Sequence, residues 1–502
     1  MSTTKSDPPT PDSASIDSEI REAHEVQIKN VYHNIAYSFL ISVTQMFSVA
    51  GLGIAAFTAR DVAKGVNASE SDTVWFLAAY SLTGGVFVLI AGSIGDVIGP
   101  KYVLCIGWLC AAVFTLISGF STSAIMFDVM RGLAGVGNAL MIPNAVALLA
   151  RAYPPGSAWK NFSFALLGFF APSGFVIGGA IGAGMTHLYS WKWGYWLYAI
   201  ICFAFCILTF LVVPRRLGNG LPHATIRRFD FLGSFFGVAG LLLFAFSWNQ
   251  ADMVGWDTTY TYVLLIVGVV MLLAFVVWEN YVEHPVLPPS MWTRKGFTPV
   301  ILALLFGWMS FGIFLYYAPE YVMTFRDVSG LAAVGEFSPV VVCGFIATMS
   351  VAALVDRFPV QYFFMISSFG FMFGNIMFAN TPMEQTYWAM AFPAFALVAL
   401  GPDLSFTAGS IVISNTLTHH EQAKGGSMVN TVVLYGAGLG MGFGGCVEHY
   451  VMRNHNDKHL AFRSALFFAF GLAALAFLIV VFFIRDERFK RKAPMEKEAE
   501  LA

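Results

Sequence analysis

The chain has 502 residues, of which 57% are hydrophobic and 12% are charged. Soluble domains carry about 25% charged residues, and a water-soluble protein of this composition would expose a large apolar surface that aggregates. The composition therefore predicts a membrane protein, and the net charge of -2 excludes a strongly basic nucleic-acid-binding surface.

Residues 1–35 are polar and predict a disordered tail. Fourteen runs follow that are apolar enough to cross about 30 Å of hydrocarbon as helices. They lie at 36–58, 73–95, 101–121, 124–150, 161–187, 193–214, 230–249, 260–280, 296–318, 332–355, 361–380, 386–415, 425–448 and 461–484. We expect one six-helix bundle over 36–214 and another over 291–484. Residues 215–290 would hold a loop and an inserted helix pair, and 485–502 a charged tail.

Charge predicts the orientation. An even number of spans places both tails on one side of the membrane. Of the 28 Lys and Arg residues, that side receives 20, the opposite side receives 7, and one lies within a span. Cytoplasmic loops are rich in Lys and Arg, so both tails are predicted to be cytoplasmic.

A glycine-rich turn, GSIGDVIGPK over 92–101, follows the second run. It resembles the signature loop of the major facilitator superfamily, with Val97 and Pro100 where that family has basic residues. The matching positions are Gly92, Asp96, Gly99 and Lys101. An Asp at a helix end can pair with a cation or cap another helix, so the resemblance implies a gating role. The alternative is an ordinary turn with a solvated Asp.

The fourth run contains Arg131 followed by a glycine-rich stretch, RGLAGVGNA, which resembles the second motif of the same superfamily. A guanidinium group within a membrane is costly and usually faces a cavity or a partner. We therefore predict a role for Arg131 in proton or substrate handling. The alternative is a side chain that extends to the lipid headgroups from the outer end of its span.

The fifth run reads APSGFVIGGAIG over 171–182 and resembles an antiporter motif, although Phe175 stands where that motif has proline. Small residues spaced four apart allow two helices to approach closely, and proline can kink a helix. The residues predicted to serve these roles are Pro172, Gly174, Gly178 and Gly179.

Further segments resemble the fourteen-span drug:proton antiporters of the superfamily. They are WFLAAY at 75–80, FDFLG at 229–233 and PVLP at 285–288. The stretches at 248–250, 401–406 and 414–415 are similar to a fungal branch that includes aminotriazole-resistance proteins and low-affinity ammonium or boron transporters. The resemblance implies an all-α major facilitator fold of fourteen transmembrane helices. Its two six-helix bundles would rock about a site near the membrane midplane.

The drug antiporters usually carry an acidic residue in the first span, where this chain has Gln45 as its polar candidate. Glutamine cannot gain and lose a proton. Asp403 in the twelfth run is the first candidate for a proton carrier, because an intramembrane carboxylate is a functional-site hypothesis by default. It follows Gly401 and Pro402, where we predict an interrupted helix, so Asp403 can also be read as a helix cap.

Other polar or aromatic residues in the runs are candidates for lining a cavity. They are Trp75, Tyr80, Asn144 and Asn430. A lone Asn in a span is as often a contact between helices. Asn67 begins an Asn-Ala-Ser glycosylation acceptor in a predicted outer loop. The sequence shows no nucleotide-binding, metal-binding or catalytic motif, so we expect no cofactor, no metal and no enzyme activity.

These patterns favour a monomeric multi-pass transporter that exports a drug or toxic metabolite by proton antiport. Its partners would be a small-molecule substrate, protons and the lipid bilayer, and the plasma membrane is expected rather than the vacuolar membrane. A low-affinity facilitator for ammonium or borate is the alternative, which the missing acid in the first span supports. A non-transporting membrane sensor and a siderophore importer stay open as other classes.

Overall fold

The computed structural model describes residues 30–69, 72–153, 157–220, 226, 229–355, 357–417 and 421–484. Regular structure within these residues is helical. The helices are α1 (Val31–Val66), α2 (Thr73–Ile98), α3 (Pro100–Ser118), α4 (Ala124–Ala152), α5 (Ala158–Leu188), α6 (Trp191–Val212), α7 (Phe231–Val254), α8 (Thr259–Glu279), α9 (Pro289–Trp292), α10 (Phe297–Phe325), α11 (Gly330–Glu336), α12 (Ser338–Leu354), α13 (Val360–Ala379), α14 (Ala391–Thr416), α15 (Gln422–His455) and α16 (Lys458–Phe483).

The prediction of a fourteen-span helical protein is confirmed. Thirteen described segments are long and apolar enough to cross a membrane, with α11 and the start of α12 together forming one of them over Gly330–Val351. The remaining span is α15, whose 34 residues would extend about 51 Å. The many glycines of α15 lower its mean hydropathy. The segment stays helical because neighbouring helices pack against it.

Two boundaries differ from those predicted. Helix α1 begins at Val31, five residues before the predicted run, because Asn30 caps it by accepting a hydrogen bond from the backbone of Tyr32. The predicted interruption at Pro402 is wrong, since α14 continues through this residue. Proline removes one backbone donor, but packing on both sides of a membrane helix can keep it continuous. Asp403 is therefore not the cap of a restarted helix.

Helices α1–α6 form one group and α10–α16 another, which we call the N-half and the C-half. In the N-half, α1 packs along α5, and α4 packs against α2 and α3. In the C-half, α10 packs against α15 and α16, and α13 against α14. The halves meet where α2 packs against α15, where α5 packs against α11 and α12, and where α1 contacts α10 and α11.

The inserted pair, α7 and α8, packs against itself, and α7 also contacts α2 and α15. Helix α8 is the outermost of the pair and exposes large apolar side chains, including Val270, Leu273 and Val277. Such a surface is stable in hydrocarbon and would aggregate in water.

We name the two ends of the bundle by residues that lie there. The Arg60 end holds the last turn but one of α1 and the first turn of α2. The Asp96 end holds the last turn of α2 and the first turn of α3. The charge pattern of the sequence predicts that the Asp96 end is cytoplasmic.

Candidate transport site

The N-half has a buried guanidinium group at its centre. Arg131 of α4 is 1% exposed, and its side chain donates to the carbonyl oxygens of Phe76 at 3.0 Å and Gly51 at 2.7 Å. Its guanidinium carbon lies 4.5 Å from the ring centroid of Tyr80. Arg131 thus ties α4 to α1 and α2 inside the bundle and does not extend to the lipid headgroups.

One turn before Arg131, α4 carries a carboxylate that the sequence analysis missed. The Oδ1 atom of Asp128 is buried and has no hydrogen-bond partner among the described residues. Its signal in the sequence was an acidic residue three positions before the arginine, at the start of an otherwise apolar run. Asp128 and Arg131 place an acidic and a cationic side chain on consecutive turns of α4.

Asp403 lies at the junction of the two halves. Its Oδ2 atom is buried without a hydrogen-bond partner among the described residues. The absent side chain of Gly344 on α12 makes room for the carboxyl, because a Cβ atom at that glycine would lie 2.3 Å from Oδ2. The same Cβ would lie 3.1 Å from Cβ of Pro172 on α5. Asp403, from the C-half, therefore sits where α12 packs against α5 of the N-half.

Gln45 is separate from these groups. Its side chain on α1 is half-buried and makes no hydrogen bond with the described residues. No acidic side chain occurs in α1 before Asp61 in its last two turns. The N-half therefore lacks a carboxylate at the level of Gln45 on this helix.

The four residues predicted to line a cavity lie in four different surroundings. The ring of Trp75 contacts Phe246 of the inserted helix α7, with ring centroids 5.2 Å apart. The Tyr80 hydroxyl donates to the carbonyl of Ser48, on the α1 side of the Arg131 contacts. Asn144 donates across helices to the carbonyl of Ala91, and Asn430 donates to its own helix at Gly426. Of these four residues, Tyr80 contacts another predicted site residue, Arg131.

Three residues of the predicted gating loop, Asp96, Gly99 and Lys101, are held within the N-half and the segment that follows α6. Asp96 forms an ion pair with Arg151 of α4 at 3.2 Å. The Lys101 ammonium group donates to the carbonyl of Val213 at 2.6 Å. Gly99 has φ of 112°, and a Cβ atom there would lie 2.1 Å from the carbonyl oxygen of Gly218. Glycine at this position therefore permits both the turn and the close approach of the following segment.

Gly92, the first residue of this motif, faces the other half. A Cβ atom on Gly92 would lie 3.2 Å from the hydroxyl of Ser427 on α15. The motif thus has its glycine at the seam between α2 and α15 and its charged residues on the N-half side.

At the Arg60 end, polar side chains join the two halves. Arg60 of α1 pairs with Glu320 of α10 at 3.0 Å and also donates to the carbonyl of Met323. The hydroxyl groups of Thr73 on α2 and Tyr316 on α10 lie 2.7 Å apart. Within the described residues, Arg60–Glu320 is the ion pair that connects the N-half to the C-half. The Arg60 end is therefore closed by direct contacts in this conformation.

Glycines bring α1 and α5 into backbone contact. A Cβ atom on Gly174 would lie 2.2 Å from the carbonyl oxygen of Met46, and one on Gly178 would lie 2.1 Å from that of Ala50. Gly179 faces the ring of Phe57, and Pro172 lies within α5 without ending it. This contact holds α5 against α1 within the N-half. Helix α5 in turn carries Pro172 at the junction with Asp403.

The two segments that flank the inserted pair meet at the Asp96 end. Asp230 accepts from the backbone of Gly233 and from the indole of Trp278, which ties the start of α7 to the end of α8. Glu279 accepts from the backbone of Leu287 at 2.8 Å, and Lys424 of α15 donates to the carbonyl of Pro285. The FDFLG segment therefore ties the two inserted helices to each other, and the PVLP segment joins them to α15 of the C-half.

The glycosylation acceptor lies at the surface. Asn67 is exposed at the end of α1 with φ of 54°, and Ser69 of the same acceptor is also exposed. Both the backbone and hydroxyl of Ser69 donate to Asp72.

Comparison with known proteins places this architecture in a family. The model of the Major Facilitator Superfamily matches residues 39–379 and 340–501. The efflux pump terJ of Aspergillus terreus is 34% identical over 471 residues, covering 93% of this chain and 90% of its own. The low affinity ammonium transporter of Saccharomyces cerevisiae is 33% identical over 471 residues, covering 92% and 91%. The aminotriazole resistance protein of the same yeast is 31% identical over 493 residues, covering 95% and 90%.

Solved structures agree with the fold. The peptide transporter POT in complex with sulfate superposes with a TM-score of 0.65 at 14% identity, covering 92% of this chain and 97% of that one. A bacterial homologue of the human lysosomal transporter Spinster gives 0.61 at 13% identity, covering 90% and 98%. The resemblance inferred from the motifs is confirmed, and the chain belongs to the Major Facilitator Superfamily of transporters.

Proposed function

We propose that this transporter exports a small molecule, a drug or toxic metabolite, by proton antiport with alternating access. The observation that carries the proposal is the position of Asp403. The Oδ2 atom of this half-buried side chain is buried without a hydrogen-bond partner among the described residues, and it lies beside Gly344, which packs against Pro172 of α5 in the other half. A buried carboxyl is stable when protonated and needs water or a cation when ionised. Protonation of Asp403 therefore favours a packed junction, and ionisation favours an open one.

A coupling ion must bind one conformation better than the other. Asp403 meets this condition because the surroundings of its carboxyl include both halves, which move relative to each other during alternating access. The similarity to the efflux pump terJ supports export as the direction. Asp128 and Arg131 are proposed to handle substrate or protons within the N-half.

The two ends supply contacts that differ between conformations. The Arg60–Glu320 pair joins the halves at one end, while the Asp96–Arg151 pair at the other end stays within the N-half. We propose that the first pair breaks when the Arg60 end opens. Asp96 and Lys101 would then keep the turn between α2 and α3 in the shape that packs against α15 when the Asp96 end closes.

Gln45 favours a second candidate, a low-affinity facilitator for a small solute such as ammonium or borate. A half-buried amide can exchange hydrogen bonds with a passing solute but carries no proton. The similarity to the yeast low affinity ammonium transporter fits this alternative. In that case solute would move only down its own gradient.

Flux in sealed proteoliposomes separates the two candidates. The purified protein is tested with ammonium, borate, aminotriazole and a cationic dye, with and without an imposed proton gradient. Uphill movement that collapses with the gradient supports the antiporter, and downhill flux indifferent to the gradient supports the facilitator. Asp403→Asn should abolish gradient-driven flux at near-normal protein abundance. Asp257→Asn, at an exposed ion pair with Arg453, is the matched control and should retain it. Normal gradient-driven flux in Asp403→Asn contradicts the assignment of the carrier.

We also propose that the protein acts as a monomer in the plasma membrane with both tails in the cytoplasm. The exposure of Asn67 at the Arg60 end supports this orientation, because glycosylation takes place on the side opposite the cytoplasm.

A further inference from the structure

A stripe of small and polar residues joins the inserted helix α7 to α15. Asn249 packs on Gly442, where a Cβ atom would lie 2.6 Å from its Nδ2 atom. One turn later Asp252 packs on Gly445, where a Cβ atom would lie 2.3 Å from its Oδ2 atom. Glycine at both positions lets α7 approach α15 closely enough to enclose these side chains.

Two carboxyl groups occupy the Arg60 end of this seam. Asp252 is 5% exposed and makes no hydrogen bond or ion pair with another described residue. Glu448 follows Gly445 by one turn of α15 and lies close enough to Asp252 for their charges to interact. The hydroxyl of Tyr317 on α10 donates to Glu448 at 2.7 Å. Asp252 is buried and Glu448 is half-buried, and two neighbouring carboxylates with limited access to solvent repel each other when both are ionised.

We propose that Asp252 and Glu448 hold one proton between them and form a protonation site in the seam between α7 and α15. One shared proton removes the repulsion and supplies the donor that the Asp252 carboxyl lacks. The site is distinct from Asp403, and it does not depend on proton antiport.

The site is connected to the contacts that close the Arg60 end. Tyr317, which bonds to Glu448, follows Tyr316, whose hydroxyl contacts Thr73 of the N-half. Glu320, one turn later on α10, pairs with Arg60. Loss of the shared proton would separate α7 from α15 next to these contacts. The site therefore makes the packing of the Arg60 end depend on the pH of the compartment that it faces.

Other ionisable groups must be distinguished from the pair. They are Tyr316, Tyr317 and Glu320 on α10, Cys446 and His449 on α15, the Asp257–Arg453 ion pair, and Lys458 and His459 at the start of α16. Of these, His449 matters most for the experiment, because its ring approaches Gly255, three residues after Asp252.

Cys446 reports on this seam in the full-length protein. It is 6% exposed, and its thiol contacts the carbonyl of Trp248 on α7 at 3.3 Å, so it reacts only when α7 separates from α15. The other five cysteines are replaced by serine, and labelling by a neutral maleimide is followed from about pH 5 to about pH 8. A thiol reacts as its thiolate, so the labelling rate of a thiol whose accessibility does not change rises about tenfold per pH unit. Opening linked to the loss of one proton adds about another tenfold per pH unit where the pair titrates.

The expected slope of log rate against pH is therefore about two in the parent protein and about one in Asp252→Asn. Glu448→Gln should also give about one, and it keeps the test valid if Asp252→Asn does not fold. His449→Gln and Asp257→Asn should keep the steeper slope. A steep slope that persists in both carboxyl variants, or is lost in His449→Gln, overturns the proposal. A rate that depends on Na⁺ at constant pH also overturns it, by making the site one for a metal cation.

Discussion

The ion pair between Arg60 and Glu320 is expected to set the balance between closed and open states of the Arg60 end. Their side chains are 36% and 12% exposed, so solvent screens the pair only in part. Exposed ion pairs contribute about 0–1 kcal/mol and hydrogen bonds to charged groups about 1.5–3 kcal/mol. We take about 1 kcal/mol for this pair, which is about a fivefold change in the equilibrium. Glu320→Gln should shift the population by this factor towards the open state.

The assay is double electron–electron resonance, which measures the distribution of distances between two spin labels. One label is placed at position 64, exposed on α1 of the N-half, and the other at position 384, exposed after α13 of the C-half. The matched control is Glu336→Gln, because Glu336 pairs with Arg326 at 2.9 Å within the C-half. This substitution removes a similar ion pair that does not connect the halves, so it should leave the distance distribution unchanged. In a double-mutant cycle with Arg60→Gln, the effects of the two changes should be non-additive by about 1 kcal/mol. Equal shifts in Glu320→Gln and Glu336→Gln, or strictly additive effects, would refute the reasoning.

Three further predictions concern the N-half. Asp96→Asn should slow turnover several-fold while substrate still binds, because the Arg151 pair shapes the turn and does not contact substrate; lost binding with unchanged cycling would contradict this. Gly99→Ala should lower thermal stability by at least about 1–2 kcal/mol, because φ is positive and Cβ would collide with Gly218. Gly184→Ala, where nothing lies within 4 Å of the added carbon, is its control, and equal melting temperatures would refute the argument. Asn67→Gln should remove a glycosidase-sensitive mass from the protein expressed in a eukaryotic cell, and an unchanged mass would place Asn67 away from the glycosylating side.

Hydropathy was sufficient to predict the membrane spans, and the resemblance of the motifs supplied the major facilitator fold. A membrane helix satisfies its backbone internally, so a run of apolar residues specifies a span without knowledge of its neighbours. Helix ends were harder to predict. Local capping by Asn30 moved the start of α1, and tertiary packing kept α14 continuous at Pro402.

The candidate site was predicted less completely because its polar contacts are between residues far apart in the chain. Arg131 was found as a charge in an apolar run, but its partners are backbone carbonyls of α1 and α2, which have no sequence signal. Asp128 and Asp252 were missed because each lies near the end of a helix, where an acidic residue is ordinarily solvated. Only the packing of other helices around those ends makes the two carboxyls buried.

The same reasoning explains why Asp403 and Gln45 must be interpreted together. Helix α1 has glutamine where the drug antiporters have an acid, but carboxylates remain on other helices. The Oδ2 atom of Asp403 is buried at the contact with α5, where Gly344 leaves room for it, so the energy of ionising this carboxyl depends on the distance between the halves. A carboxylate at a moving junction can couple a proton to the conformational change even when the first helix carries none, because its surroundings differ between the two conformations.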